Sequence, residues 1–264
     1  MILKEKIAAQ LPAERERYRA LVKDNAEVVV ANVTVGQVAG GMRGVKSLLT
    51  DISFVDPGEG IRFRGMTIPE VLAALPKPEG AEMPYVGGLF YLLLIGEVPT
   101  KEQALEVEAE WVKRSAVPKH VFDTLRAMPK ETHPMTLFSL GVQSLQTGSE
   151  FARHYQEGMT KDVYWEPALE DTLNLTAKLP VVAAFIYNLK YREGQEPKVD
   201  LELDYGANFA RMLGVEDQKG YSDLARLYFI IHSDHESGNA SAHATHLAAS
   251  TLSDIYYAFS AGLN

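Results

Sequence analysis

The chain has 264 residues, 46% of them hydrophobic, 23% charged and 9% aromatic, which is the make-up of an ordinary globular protein and excludes a disordered chain, a collagen-like fibre or a coiled coil. Its 26 Lys and Arg against 35 Asp and Glu leave a formal charge of −9, so no overall basic field draws nucleic acid or an anionic membrane, and an anionic ligand must meet local cations. With no cysteine at all, disulfides, thiolate metal sites, iron–sulfur clusters and Cys nucleophiles are excluded.

The opening stretch Leu3 to Lys23 carries a charged helical pattern, interrupted at Pro12. It has the character of neither a secretory signal nor an acid-poor transit peptide, so a cytoplasmic chain is expected, or a matrix protein for a mature eukaryotic one. The β-branched run Glu27 to Val35 (EVVVANVTV) predicts a short strand. Gly40, Gly41 and Gly44 then flank Arg43, which predicts a sharp turn presenting one cation. Leu48 to Phe54 and Ile61 to Phe63 surround Asp56-Pro57-Gly58-Glu59-Gly60 and predict a hairpin, the only β-structure expected. Arg62 and Arg64 beside it are either phosphate grips or surface ion-pair partners.

From Ile68 onward the apolar spacing is helical. Segments are expected near 68–75, 84–96, 101–115, 118–127, 134–156, 164–191, 205–213, 218–235, 239–250 and 253–264. The most apolar run, Leu89 to Ile95, is far shorter than the roughly 20 residues of a bilayer span. The fold class is therefore all-α, mainly helical, with a small β-hairpin near the N-terminus. Pro76 to Met83 and Glu193 to Pro197 resemble linkers, but amphipathic helix follows each and neither divides the chain into domains.

Four of the seven histidines fall in HSDHESGNASAHATH, from His232 to His246. On a helix, His232 and His235 would share a face, as would His243 and His246. Gly238 and Asn239 mark one helix stopping and another starting, with Asn239 or Ser241 as the N-cap. Three readings stand side by side: a four-His metal site, packing or capping histidines, and a polar floor on which a histidine donates to a substrate oxygen gathering negative charge. The order is not His-Glu-x-x-His, and no G-x-G-x-x-G, Walker loop, G-x-S-x-G elbow or EF-hand pattern occurs.

Six blocks, in order, carry a family resemblance: GGMRGVKSLL (Gly40–Leu49), DPGEGIRFRG (Asp56–Gly65), GLFYLLLIGEVPT (Gly88–Thr100), HPMTLFSL (His133–Leu140), AKLPVVAA (Ala177–Ala184) and HSDHESGNASAH (His232–His243). Through them the chain resembles the citrate synthases, from about Leu3 to Asn264. The resemblance implies a helical large domain, of which residues 1–264 are a part, within a homodimer. It also implies Claisen-type condensation of acetyl-CoA with oxaloacetate, with coenzyme A a substrate and product rather than a bound cofactor, and no metal, nucleic-acid or membrane partner. Methylcitrate synthases of the same fold take propionyl-CoA, and a non-catalytic helical dimerising scaffold is the other alternative.

Carried over by position, His235 and Asn239 face oxaloacetate, Ser241 supports a catalytic histidine, and Arg43 and Lys161 contact coenzyme A phosphate. Lys161 stands where some members have arginine, keeping the charge without the bidentate fork. Ser237 replaces a frequent glycine. The resemblance also implies that the enol-stabilising histidine, the proton-abstracting aspartate, the carboxylate-binding arginines and the small domain lie beyond Asn264, so the chain alone is expected to be inactive. The helices matching His133–Leu145 and Leu252–Asn264 would help form the dimer, with Ser139, Gly141, Ser144, Ala258 and Ala261 permitting close approach.

Overall fold

A computed structural model of the chain describes residues 1–41, 44–45, 48–215, 217–236 and 238–263. Arg43, Ser237 and Asn264, singled out by sequence, lie outside them. The first helix, α1 (Ile2–Asn25), runs through Pro12 rather than breaking there. An interior proline costs one backbone hydrogen bond and a local bend, which a long exposed helix with charged neighbours on every turn absorbs.

The expected strand at 27–35 does not form. Val28, Val29 and Val30 are exposed and in neither strand nor helix, and a short helix α2 (Val35–Ala39) follows, started by a capping box between Thr34 and Gln37. β-branched density describes a surface that wants a neighbouring strand, and no described strand lies alongside to supply one. The β-structure is instead a three-stranded antiparallel sheet, β1 (Ser53–Asp56), β2 (Gly60–Phe63) and β3 (Met66–Thr67). Asp56 Oδ1 accepts from the N–H groups of Gly58 (2.7 Å) and Glu59 (2.9 Å), closing the predicted turn.

Helices then follow with their caps legible in the sequence. Thr67 and Glu70 form a capping box on α3 (Ile68–Ala74), and Gly96 closes α4 (Val86–Ile95) in the left-handed region. Thr100 starts α5 (Lys101–Arg114), and Pro118 precedes α6 (Lys119–Arg126). The predicted helix at 134–156 is two: α7 (Pro134–Leu145) and α8 (Glu150–Gln156), separated by a 3-10 turn at Gln146–Gly148. Ser149 starts α8 because its hydroxyl accepts from Ala152 N–H (3.0 Å) and donates to buried Asp171 Oδ2 (2.6 Å). Next come α9 (Trp165–Tyr191), α10 (Tyr205–Leu213), α11 (Gln218–Ile231), α12 (Ala240–Ser250) and α13 (Ile255–Ala261).

The long α9 is the spine. Leu173 and Ala177 join one apolar cluster with Trp111 of α5 and Tyr91 of α4, while Val182 and Phe185 join another with Leu125 of α6 and Val142 of α7. A third cluster seats the sheet, through Phe63, on α3, α4 and Ile230 of α11. Full burial of a side chain such as Phe185 contributes roughly 1.5–3 kcal/mol.

The small residues expected at a dimer interface are partly spent within the chain. Helix α7 packs on α9 and on α13. A Cβ on Gly141 would stand 2.7 Å from Val182 Cγ1, and Ser139 and Ala258 are buried.

Candidate functional site

Two regions hold the residues predicted from sequence. The first is the histidine-rich segment. Helix α11 stops at Ile231, four residues earlier than the periodicity suggested, so His232 and His235 do not share a helix face. His232 becomes the C-terminal cap: its Nδ1 lies 3.0 Å from Tyr228 O and its ring stacks on Tyr228 at 4.2 Å. That is the capping role among the three readings. Among the described residues, no group of three or more His, Asp or Glu side chains is placed to hold a metal ion.

His235 lies in the exposed loop between the helices, with Nδ1 3.1 Å from Glu236 O. A carbonyl oxygen only accepts, so this contact puts the hydrogen on Nδ1. Nε2 then donates to a substrate oxygen only when the ring is an imidazolium. Asn239 is the N-cap of α12: its Oδ1 accepts from Ser241 N–H (2.8 Å) and Ala242 N–H (3.2 Å), and its own N–H donates to Glu236 O (3.2 Å). The structure thus brings His235, Asn239 and Ser241 onto one short stretch, with Glu236 O held by both sides. Ser241 sits in the first turn of α12, where its carbonyl accepts from Thr245 Oγ1 (2.9 Å). Close packing against Gly262 of the last turn fixes this helix: a Cβ there would collide with Thr245 Oγ1 and with Ser241 O.

The second region surrounds Lys161. A cavity of about 650 Å³ opens between α1, the segment at Leu49 to Asp51, and the 3-10 turn Lys161–Val163. Four cations line it, Arg15, Arg17, Arg19 and Lys161, against the carboxylates of Glu14, Asp51 and Asp162. Within a chain of charge −9, this is a local excess of positive charge. Arg17 is committed to Glu14 and Asp51 (2.7 and 2.8 Å), and Arg15 donates to the backbone oxygen of Asp162 (2.8 Å). Arg19 and Lys161 have no ion pair or side-chain hydrogen bond among the described residues. The hydrogen bond from Arg17, together with the charges of Arg64 and Arg17, outweighs partial burial and holds Asp51 below the usual carboxylate range.

The α1 arginines were not singled out from sequence, where they are part of a charged helical pattern. The available signal was Arg15 and Arg19 four residues apart, hence on one side of the helix. Arg62 and Arg64 are spent structurally. Arg62 pairs with Glu59 (2.7 Å), while Arg64, in the left-handed region at φ 49°, donates through Nε and Nη2 to Leu93 O (3.0 and 2.6 Å) and through Nη1 to Asp51 (2.7 Å). Among the described residues, none of the histidine segment lines the Lys161 cavity.

The family described as "Citrate synthase, C-terminal domain" matches residues 41–264. Mitochondrial citrate synthase of Daucus carota is 50% identical over 264 residues, covering 99% of this chain and 55% of that protein. The mitochondrial enzyme of Saccharomyces cerevisiae is 46% identical over 262 residues, covering 99% and 54%. The crystal structure of citrate synthase from Pyrobaculum aerophilum superposes with a TM-score of 0.72 at 27% identity, over 85% of this chain and 54% of that one. The Thermoplasma acidophilum enzyme, in ternary complex with carboxymethyl coenzyme A and oxaloacetate, shares the fold with a TM-score of 0.69 at 21% identity, over 85% and 55%. The chain belongs to the citrate synthase family, and it spans about half the length of the curated relatives it matches.

Proposed function

We propose that this polypeptide is the coenzyme A-receiving and oxaloacetate-facing part of a citrate-forming condensing enzyme. In that reaction a methyl proton leaves acetyl-CoA, the resulting enol attacks the ketone of oxaloacetate, and water cleaves the thioester to release citrate and coenzyme A. The observation that carries the reading is the cavity at Lys161, where an ammonium and the guanidinium of Arg19, both without an ion pair among the described residues, line one hollow. Phosphate groups are met there by charge-assisted hydrogen bonds, which are roughly twice as strong as neutral ones. Arg43, which the resemblance assigns to the same phosphates, lies outside the described residues.

His235 is assigned to oxaloacetate, with Asn239 beside it. Ser241, on the first turn of the capped helix, is assigned to support a catalytic histidine. Each is a group whose hydrogen bonds strengthen as charge gathers on a substrate oxygen. The base, the second substrate histidine and the carboxylate clamps of the full reaction are assigned to parts of the relatives that this chain does not match. Two copies are proposed to associate through the faces of α7 and α13 that remain open, where Met135 and Tyr257 are exposed. A light-scattering mass at twice the chain mass checks this association, and a monodisperse monomer would refute it.

Calorimetric titration with coenzyme A tests the main assignment. Saturable binding weakened by about tenfold in Lys161→Glu, and further in Arg19→Glu, is expected, since each change replaces a charged donor by a repelling carboxylate. Binding that neither substitution alters would sink it.

A further inference from the structure

A second groove, of about 690 Å³, lies at the far end of α9, between that helix, the segment 192–204 and the end of α10. It shares no lining residue with the Lys161 cavity. Its cations are Arg192, Lys198 and Arg211. Both guanidiniums donate to backbone oxygens. Arg192 Nη2 donates to Gly214 O (3.1 Å), and Arg211 Nη1 donates to Lys198 O (2.9 Å). Asp200 approaches Arg211 Nε only to 3.6 Å. Arg192 is therefore positioned without a carboxylate partner among the described residues, Arg211 keeps an ion pair only to half-exposed Asp200, and Lys198 has no ion pair or side-chain hydrogen bond among the described residues. Of the two carboxylates on the rim, Glu196 is committed to Arg126 (2.7 Å), leaving Glu193.

Two further observations mark the groove as built. Gly214 sits at φ 63°, a backbone conformation that favours glycine, and the Arg192 guanidinium lies against it where a Cβ would stand. Asn188, 6% exposed, donates from Nδ2 to Gln195 O (3.1 Å), while its Oδ1 has no hydrogen-bond donor among the described residues. Leaving a buried acceptor unmet is costly, so a donor belonging to a ligand fits it.

We infer that this groove binds a small multivalent anion that also carries an O–H group. The arginine forks match carboxylate and phosphate oxygens alike, the ammonium adds charge, and the O–H satisfies Asn188 Oδ1. A hydroxy-polycarboxylate and a hydrogen phosphate share this chemistry. The site stands independently of the coenzyme A reading.

Citrate, tricarballylate (the same three carboxylates without the hydroxyl) and pyrophosphate are titrated into the ¹⁵N-labelled full chain, with the amide signals of Gly194 and Gly214 as the local readout. Saturable shifts with citrate, several-fold tighter than with tricarballylate, support a hydroxycarboxylate; tighter binding of pyrophosphate supports the phosphate source. Lys198→Glu, at an exposed position with no side-chain partner among the described residues, should weaken either by about tenfold, and Arg211→Glu more. Lys161→Glu should leave these two signals unchanged. The proposal is overturned if no probe gives a saturable shift, if Lys198→Glu binds as the parent does, or if tricarballylate binds as tightly as citrate and pyrophosphate does not bind.

Discussion

Glu108 accepts a hydrogen bond from the backbone N–H of Tyr205 at 2.7 Å, while its other carboxyl oxygen accepts from Gly87 N–H at 2.8 Å. One buried side chain on α5 thereby seats the first turns of both α4 and α10. Burial, and then the neighbouring Asp204, push its pKa up to about 7, against the opposing pull of those two N–H groups and of Arg226.

A carboxyl whose folded pKa is raised binds its proton more tightly in the native state. Its contribution to stability is complete below the unfolded value near 4.5 and is lost as pH rises through about 7. At roughly 1.4 kcal/mol per unit, the loss amounts to about 3 kcal/mol. Urea midpoints should therefore fall between pH 5 and pH 8 more steeply in the parent than in Glu108→Gln. Equal slopes would show that this group does not titrate across that window.

Gly141 of α7 meets Val182 of α9 closely, with 2.7 Å between a would-be Cβ and Val182 Cγ1. Gly141→Ala should destabilise by about 1–3 kcal/mol through overpacking. Val182→Ala alone should also destabilise, by leaving a void. The double variant should recover part of the sum, measured as a coupling energy in denaturant titrations; strict additivity would mean that the two do not meet.

Asp171, fully buried on α9, accepts from Ser149 Oγ (2.6 Å), Glu150 N–H (2.7 Å) and Phe151 N–H (3.1 Å) and so fixes the start of α8. Asp171→Ala should cost about 2–4 kcal/mol, because it strips a buried acceptor from three donors. Hydrogen exchange should speed first at the amides of Glu150 and Phe151. Unchanged protection there would refute the assignment.

Asn239→Ala should remove the cap of α12, costing about 1 kcal/mol. The fraying should appear at the Ser241 and Ala242 amides, while those of α11 keep their protection. Asn239→Asp, which keeps the acceptor, should restore it.

The sequence showed the helices where a cap and an apolar stripe coincide, as at Thr67 with Glu70 or Thr100 with Gln103. It was misleading where local composition spoke without its partner. Val28 to Val30 are strand-forming residues with no described strand to join, and the helical spacing through His235 continued past Ile231, where the chain turns into a loop. The break at Gly148 was hidden because its cause is Asp171, more than twenty residues away. For the candidate site, Asn239 was readable as a cap because capping is local. The arginines around Lys161 were not, since 142 to 146 residues separate that position from Arg19 and Arg15 and only tertiary packing joins them.

Helix α1 has one fully buried side chain, Leu3, with Ile7 packed partly buried on the same cluster, and is tied further by polar contacts: Ile2 N–H to Glu106, Lys4 to Glu166, Lys6 to Glu97 and Arg17 to Asp51. A wall moored this way answers to ionic strength as a greased one does not, because salt shortens the reach of exposed charges from about 8 Å at physiological strength to about 3 Å at 1 M. Concentrated brine should therefore loosen the hollow around Lys161 from the outside, along one flank, while the spine of the molecule stays shut.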